Sequence, residues 1–351
     1  MISVYYYNKV TSARVRSFYI LNHTVVSYLA EAACTLTHEE NDTMTDPTHV
    51  SAHTPIHSIY ARWGRFGLYT FLIDGPELAL VDTGVTDTAQ GVADGLAELG
   101  RDIRDVKWIL LTHGHIDHLG GTVALWEMTG RQAQVVIHEA DVDYLESRRA
   151  HVENYLNLRA DYIDDPKAEA KQTAMMASAI SGEMSPHIIV TGGEVLDLGG
   201  VKVRVVHTPG HTGGSVAYVV EGQNDVFVGD AVQIHGAANG FPGYEDPDAY
   251  RDSLVTIQQL AANRMFLGHP FRSDEGVAYE VELDRDTAAH AVQEAIGIEA
   301  RIREAALALG TGESDSPYSP FAAIADHLGY TGDPTLEPSP FFTTLHGYFK
   351  A

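Results

Sequence analysis

Leu111-Thr-His-Gly-His-Ile-Asp-His-Leu-Gly-Gly121 places His113, His115, Asp117 and His118 within six residues, directly after the apolar run Trp108-Ile-Leu-Leu111. Such a run reads as a buried strand, and the glycine after it as the turn that leaves it. The four polar side chains are therefore expected on a short loop at a strand's end, with a helix starting near His118. Imidazole and carboxylate suit zinc and related first-row metals. The His-x-His spacing sends two rings toward one point, while Asp117 and His118 aim at a second point close by. One loop thus offers donors to two metals. A polar turn merely rich in histidine would need no further donors downstream.

Further donors follow in order. His211 lies in His207-Thr-Pro-Gly-His-Thr-Gly-Gly-Ser215, after the β-like run Val201-Lys-Val-Arg-Val-Val206. Asp230 ends Val226-Phe-Val-Gly-Asp230, and His269 ends Met265-Phe-Leu-Gly-His269. Each sits at the C-terminal lip of an apolar strand. With Asp82, which closes Leu78-Ala-Leu-Val-Asp82, these five regions resemble the motifs of metallo-β-lactamase-fold hydrolases, in their lactonase and glyoxalase II-like binuclear branch.

The resemblance runs from about residue 53 to 272. It implies an α/β fold, an αββα sandwich of two mixed β-sheets packed face to face with helices outside. Carried over by position, it implies that His113, His115 and His211 hold one divalent metal, that Asp117, His118 and His269 hold a second, and that Asp230 bridges them. Asp82 is expected behind the loop as an acceptor that fixes it rather than as a ligand. Zinc is the expected metal, with manganese and iron as alternatives. Such a pair lowers the pKa of water to about 7, and the bridging hydroxide attacks an acyl or phosphoryl centre. Asp117 is the expected catalytic residue, orienting that nucleophile and carrying a proton toward the leaving group.

Composition narrows the partners. The chain has 351 residues, which fits one large domain with appendages. Its 23 Lys and Arg against 48 Asp and Glu give a net charge of −25, which opposes binding to nucleic acid or an anionic membrane. A small-molecule substrate is expected instead. The single cysteine, Cys34, offers neither an internal disulfide nor a thiolate metal site and fits a cytoplasmic location.

Residues 1–52 carry no part of the resemblance. Phe18 to Leu29 is moderately apolar but interrupted by Asn22, His23 and Thr24, short of the roughly 20 residues a membrane span needs. Arg14 and Arg16 before it and Ala32-Ala33 after it also fit a secretion signal. Met44 fits a start of its own, so residues 1–43 read as an upstream extension, a cleaved signal or a structured accessory.

From Ile56 the runs Ile59 to Trp63, Leu68 to Ile73 and Leu78 to Val81 predict an antiparallel meander. Asp87 is expected to cap a helix carrying Ala89, Val92, Leu96 and Leu99, which Gly100 ends. His138, after the strand Gln134 to Ile137, reads as a core or surface histidine, with a pocket role as the alternative. A helical insertion is expected over about 141–185, either above the metals or as a plain surface pair. Gly199-Gly200 predicts a tight hairpin.

The segment after Asp230 bears on the substrate. Acyl-homoserine lactonases carry a tyrosine three positions past the bridging aspartate, where this chain has Gln233. Gln233, Tyr218, His235, Phe241 and Tyr244 are candidate pocket walls. A C-terminal helical and aromatic extension over 273–351 contains a long amphipathic helix from Asp286 to Leu309 and the aromatics Phe321, Tyr330, Phe341, Phe342, Tyr348 and Phe349. It caps the pocket, joins two subunits as a homodimer, or packs on its own core.

The expected function is hydrolysis of an acyl bond in a small molecule, ester or lactone first. A glyoxalase II-like thioesterase or a β-lactam-type amidase is the alternative. An iron-dependent redox enzyme of the persulfide dioxygenase kind, a phosphodiesterase and a non-catalytic binding protein are readings of other classes.

Overall fold

The computed structural model describes residues 53–153, 161–163, 166–236, 240–334 and 340–350. The expectations for residues 1–52 lie outside the described residues. Twelve strands among these form two six-stranded sheets, in the orders β1-β2-β3-β4-β5-β6 and β12-β11-β10-β9-β8-β7.

In the first sheet, β1 (Ile56–Trp63), β2 (Phe66–Ile73) and β3 (Leu78–Val81) form the meander. β3 then runs parallel to β4 (Val106–Leu110), β4 to β5 (Gln134–His138), and β5 to β6 (Ile188–Val190). Parallel neighbours need crossovers, and helices supply them: α1 (Ala89–Glu98), then the pair α2 (Ile116–Leu119) and α3 (Thr122–Met128). A 3-10 turn, Thr86–Thr88, precedes α1, and Thr88 Oγ1 accepts from Val85 N there. This corrects the expected Asp87 cap: the turn starts one residue earlier, and the threonine takes the orphan amide.

The crossover to β6 contains α4 (Val142–Glu146), α5 (Arg148–His151) and α6 (Pro166–Ala179), the expected helical insertion. In the second sheet β7 (Val195–Leu198), β8 (Val201–His207), β9 (Val216–Val220) and β10 (Asp225–Gly229) are antiparallel neighbours. Gly199 and Gly200, both at positive φ, make the two-residue turn between β7 and β8. α7 (Pro247–Leu260) then carries the chain to β11 (Arg264–Leu267), parallel to β10, and β12 (Glu282–Asp284) closes the edge.

Strands buried on both faces explain the unbroken apolar runs. Along β4, Leu110 enters the core between the sheets and Ile109 the core under α1 and α3. Along β10, Phe227 points between the sheets, while Val226 and Val228 face the outer helices. Those helices are α7, α8 (Arg285–Leu309), α9 (Ala322–Leu328) and α10 (Pro340–Phe349). Phe321, Phe341, Phe342 and Leu345 share one buried cluster with the outer face of the second sheet. Structure continues past the expected boundary at residue 272. β12 is a strand of the sheet itself, and the aromatic tail packs on its own core. Among the described residues no helix is long and apolar enough to cross a membrane.

Candidate metal centre

β3 and β4 run parallel, and β8, β10 and β11 share one direction, since β8 and β10 are each antiparallel to β9. Every expected donor follows the C-terminal end of one of these strands, so the fold delivers them along two facing lips. His113, His115 and His211 group as one potential ligand set, His113, His118 and Asp230 as another, and Asp117, His118 and His269 as a third.

The first trio forms a tripod. Its rings stand nearly perpendicular to one another, at 83°, 77° and 88°. His211 Nε2 lies 2.8 Å from His115 Nδ1 and 3.2 Å from His113 Nε2. Around the other point, His118 Nε2 lies 3.1 Å from His269 Nε2, and Asp117 Oδ2 lies 3.1 Å from the same nitrogen. Asp230 stands between the sets, Oδ1 3.4 Å from His118 Nε2 and Oδ2 3.7 Å from His211 Nε2. Donors held about 2.0–2.1 Å from a tetrahedral ion are about 3.3 Å apart. The observed spacings, from 2.8 to 3.7 Å, scatter about that edge length. Asp230 Oδ1 is moreover buried without a hydrogen-bond partner. A cation between these atoms would satisfy it, so the donor set fits two metal ions.

On three of the rings the nitrogen turned away from the cluster has a hydrogen-bond partner that fixes tautomer and aim. His118 Nδ1 meets Asp82 Oδ2 at 2.8 Å, and His113 Nδ1 meets Thr112 Oγ1 at 3.0 Å. His211 Nδ1 donates to Gly243 O at 2.6 Å. His115 Nε2 faces Glu245 Oε1 at 4.0 Å. Asp82 also accepts from Thr112 N and Thr112 Oγ1, which ties β3 to the first residue of the loop. It belongs to none of the ligand groups.

Electrostatics divides the rings. Burial, reinforced by the neighbouring imidazoles, pushes His113 well below the ordinary histidine range; burial and His211 do the same to His115. Neutral rings are what metal ligation requires. At His118 burial opposes the charge, but Asp230, Asp82 and Asp117 outweigh it and raise the group to about 10. Asp117 is held well below the usual carboxylate range, because His118 and His269 outweigh its burial.

The expected wall residues divide as well. Gln233 does reach the cluster: Nε2 donates to Asp230 Oδ2 at 3.2 Å, and Oε1 accepts from Gly243 N. Three others are corrected. Tyr218 is buried between the sheets, its hydroxyl donating to Leu111 O, because β9 is covered on both faces. Tyr244 is stacked on Tyr250 and bonded to the Tyr348 hydroxyl, inside the helical layer. His235 pairs with Asp274 and lines a cavity of about 280 Å³ with Phe241, Arg301 and Tyr330, none of them metal donors. His138 is buried and stacked on His207, in keeping with the core reading.

Two carboxylates escaped the sequence reading. Asp141, 1% exposed, accepts from Gly114 N, Thr212 Oγ1 and Gly214 N. Glu245, beside His115, is pushed up to about 7 by burial and then by Asp141. Asp141 follows β5 as Asp82 follows β3, so position at a strand's C-terminal lip was an available signal. Glu245 lies in a loop and offered none.

Comparison with known proteins identifies the family and the fold. The family model described as the metallo-beta-lactamase superfamily matches residues 62–269. A hydroxyacylglutathione hydrolase of Synechococcus sp. (strain JA-3-3Ab) is 26% identical over 58% of this chain and 64% of its own length. An atrochrysone carboxyl ACP thioesterase of Aspergillus fumigatus is 27% identical over 58% of this chain and 50% of its own. The chain thus spans between half and two thirds of these relatives. Among solved structures, a metallo-beta-lactamase family protein of Thermus thermophilus superposes with a TM-score of 0.60 at 24% identity, over 84% of this chain and 92% of that one. Fold, donor order and sequence match converge, and the chain belongs to the metallo-beta-lactamase superfamily.

Proposed function

We propose that this protein is a binuclear metal-dependent hydrolase that cleaves an acyl bond of a small molecule. One observation carries the reading: seven donors from four strand ends fall into two sets around a shared Asp230. Two bound cations, zinc by this donor set, would acidify a water and polarise the scissile carbonyl. The remaining work belongs to the chain. His113, His115 and His211 hold one ion as neutral rings; Asp117, His118 and His269 hold the other. Asp117 is the most open of the three carboxylates, its side chain 31% exposed against 8% for Asp230 and 2% for Asp82. It is therefore placed to orient the attacking water and carry its proton toward the leaving group. Gln233 and Asp82 touch ligands, and their role is aim.

Esters and lactones remain one branch of substrate. Thioesters stand beside them, since one relative is named an ACP thioesterase, another a hydroxyacylglutathione hydrolase, and Gln233 occupies the lactonase tyrosine position. The net charge of −25 speaks against a polyanionic substrate such as RNA. A cytoplasmic location goes with the single cysteine.

The test is elemental analysis of purified protein, followed by zinc, manganese and iron forms assayed on esters, lactones, thioesters and phosphodiesters. Two equivalents of metal and turnover of at least one acyl class are expected, with Asp117→Asn slower by about 100-fold or more. Metal-replete protein inert on the whole panel would sink the proposal. Iron as the purified metal, with oxygen consumption on a persulfide, would replace it by a redox enzyme.

A further inference from the structure

The first donor trio is drawn from two loops. His113 and His115 come from the end of β4, His211 from the end of β8, and their sheets are joined here by one backbone bond, Val216 N to Thr112 O at 2.8 Å, which reaches neither His115 nor His211. Yet His211 Nε2 must hold its place to within tenths of an ångström of both partner nitrogens. Something has to set the gap between the loops.

Asp141 lies in that gap. It ends a 3-10 turn, Glu139–Asp141, at the C-terminal lip of β5. Its Oδ2 accepts from Gly114 N at 2.6 Å, between the two loop histidines. The same oxygen accepts from Thr212 Oγ1 at 2.8 Å, next to His211, and Oδ1 accepts from Gly214 N at 2.9 Å. One carboxylate thus holds both loops by three donors. The sequence of both loops is fitted to it. A Cβ on Gly214 would lie 2.4 Å from Asp141 Cγ, and one on Gly114 would lie 3.1 Å from that atom and 2.4 Å from the Tyr144 ring. Neither glycine has a positive φ, so close approach, rather than backbone conformation, demands them.

The second donor set is anchored elsewhere. Asp82 takes Thr112 N and His118 Nδ1, and no bond of Asp82 reaches the β8 loop among those described. Asp82 thus bonds a ligand of the second set directly and reaches the first only through Thr112 Oγ1 and His113, whereas Asp141 bonds both loops of the first.

We propose that Asp141 is the positioning residue of the first cation site, fixing the distance between the β4 and β8 loops as Asp82 fixes the second site. The assignment rests on the metal reading above. Its energetic sense is that of preorganisation: a carboxylate accepting three bonds is costly to bury but rigid once satisfied. The asparagine variant keeps the shape and turns one acceptor into a donor, facing amides that themselves donate.

The experiment uses full-length metal-free protein titrated with cobalt(II), read by its visible ligand-field bands and by competition with a chelator. Wild type is expected to take two equivalents. Asp141→Asn should weaken one equivalent by about 10- to 100-fold, the range for lost partners of metal ligands, and leave the other within about threefold. Gly214→Ala should weaken the same equivalent by pushing on the same carboxylate from the opposite loop. The double variant should be little worse than Asp141→Asn alone, because both changes break one clamp. Thermal unfolding of the metal-free variants follows the fold separately. If both variants bind both equivalents as wild type does, or lose both equally, the assignment to Asp141 is overturned while the metal reading stands. A wild type that takes up no cobalt overturns the metal reading and this inference with it.

Discussion

Asp82 holds a backbone φ of +60°, uncommon for a residue with a β carbon, and spends both oxygens on the metal loop. Asparagine tolerates that backbone but cannot accept from both Thr112 N and His118 Nδ1. Asp82→Asn is therefore expected to weaken the second cation by about 10- to 100-fold through His118, and the first less, because Asp82 reaches His113 only through Thr112 Oγ1. Chelator competition with cobalt(II) measures it, and equal loss at both sites would refute the division. The donors themselves were legible because their chemistry sits in side-chain types at the ends of apolar runs. Asp141 showed only its place after a strand end, since its partners are two backbone amides and a hydroxyl from loops far apart in sequence. Tyr218 and Tyr244 misled for a related reason: an aromatic near the donors in sequence carries no mark of the layer it enters.

At the scale of elements, α8 shows both what periodicity reveals and what it hides. Its apolar spacing and Asp284, which accepts from Thr287 N, define a helix through Gly297. The polar cluster on it was invisible. Glu299, 2% exposed as a side chain, accepts from Arg303 Nε at 2.7 Å and from the Tyr348 hydroxyl at 3.1 Å. Arg303 reaches on to Asp248 and to Pro247 O at the start of α7. Three helices meet at one buried pair. Arg303→Met would leave Glu299 charged and largely unpaired, costing about 3 kcal/mol in urea denaturation. Arg303→Met with Glu299→Met should recover more than half of that loss, because an apolar pair replaces the stranded charge. A double variant as unstable as the single would show that packing around Tyr348, rather than the pair, carries the stability.

Within residues 53–351, α10 seals the outer face of the second sheet. The sequence left three fates open for the aromatic tail, since composition alone does not say what an apolar helix covers. In the fold, Phe341 and Leu345 are fully buried and Phe342 nearly so, against the outer face of the second sheet. Removing α10 would return about 1.5–3 kcal/mol per large side chain to water, comparable with the whole stability of a typical domain. The same helix reaches the metal centre. Thr344 Oγ1 donates to Pro242 O at 2.7 Å and accepts from Tyr244 N at 3.1 Å, bracketing Gly243, whose carbonyl takes His211 Nδ1. Truncation after Ser339 should therefore give an insoluble product or one with a greatly lowered unfolding midpoint. Thr344→Val in the full chain separates the two effects. It keeps the buried volume and leaves one amide and one carbonyl unpaired, at about 1–3 kcal/mol. It should also loosen His211, weakening the first cation more than the second in the cobalt(II) titration. An unchanged first site would mean that the tail supports the fold alone, and that Gln233, through Gly243 N, is sufficient to hold the segment that aims His211.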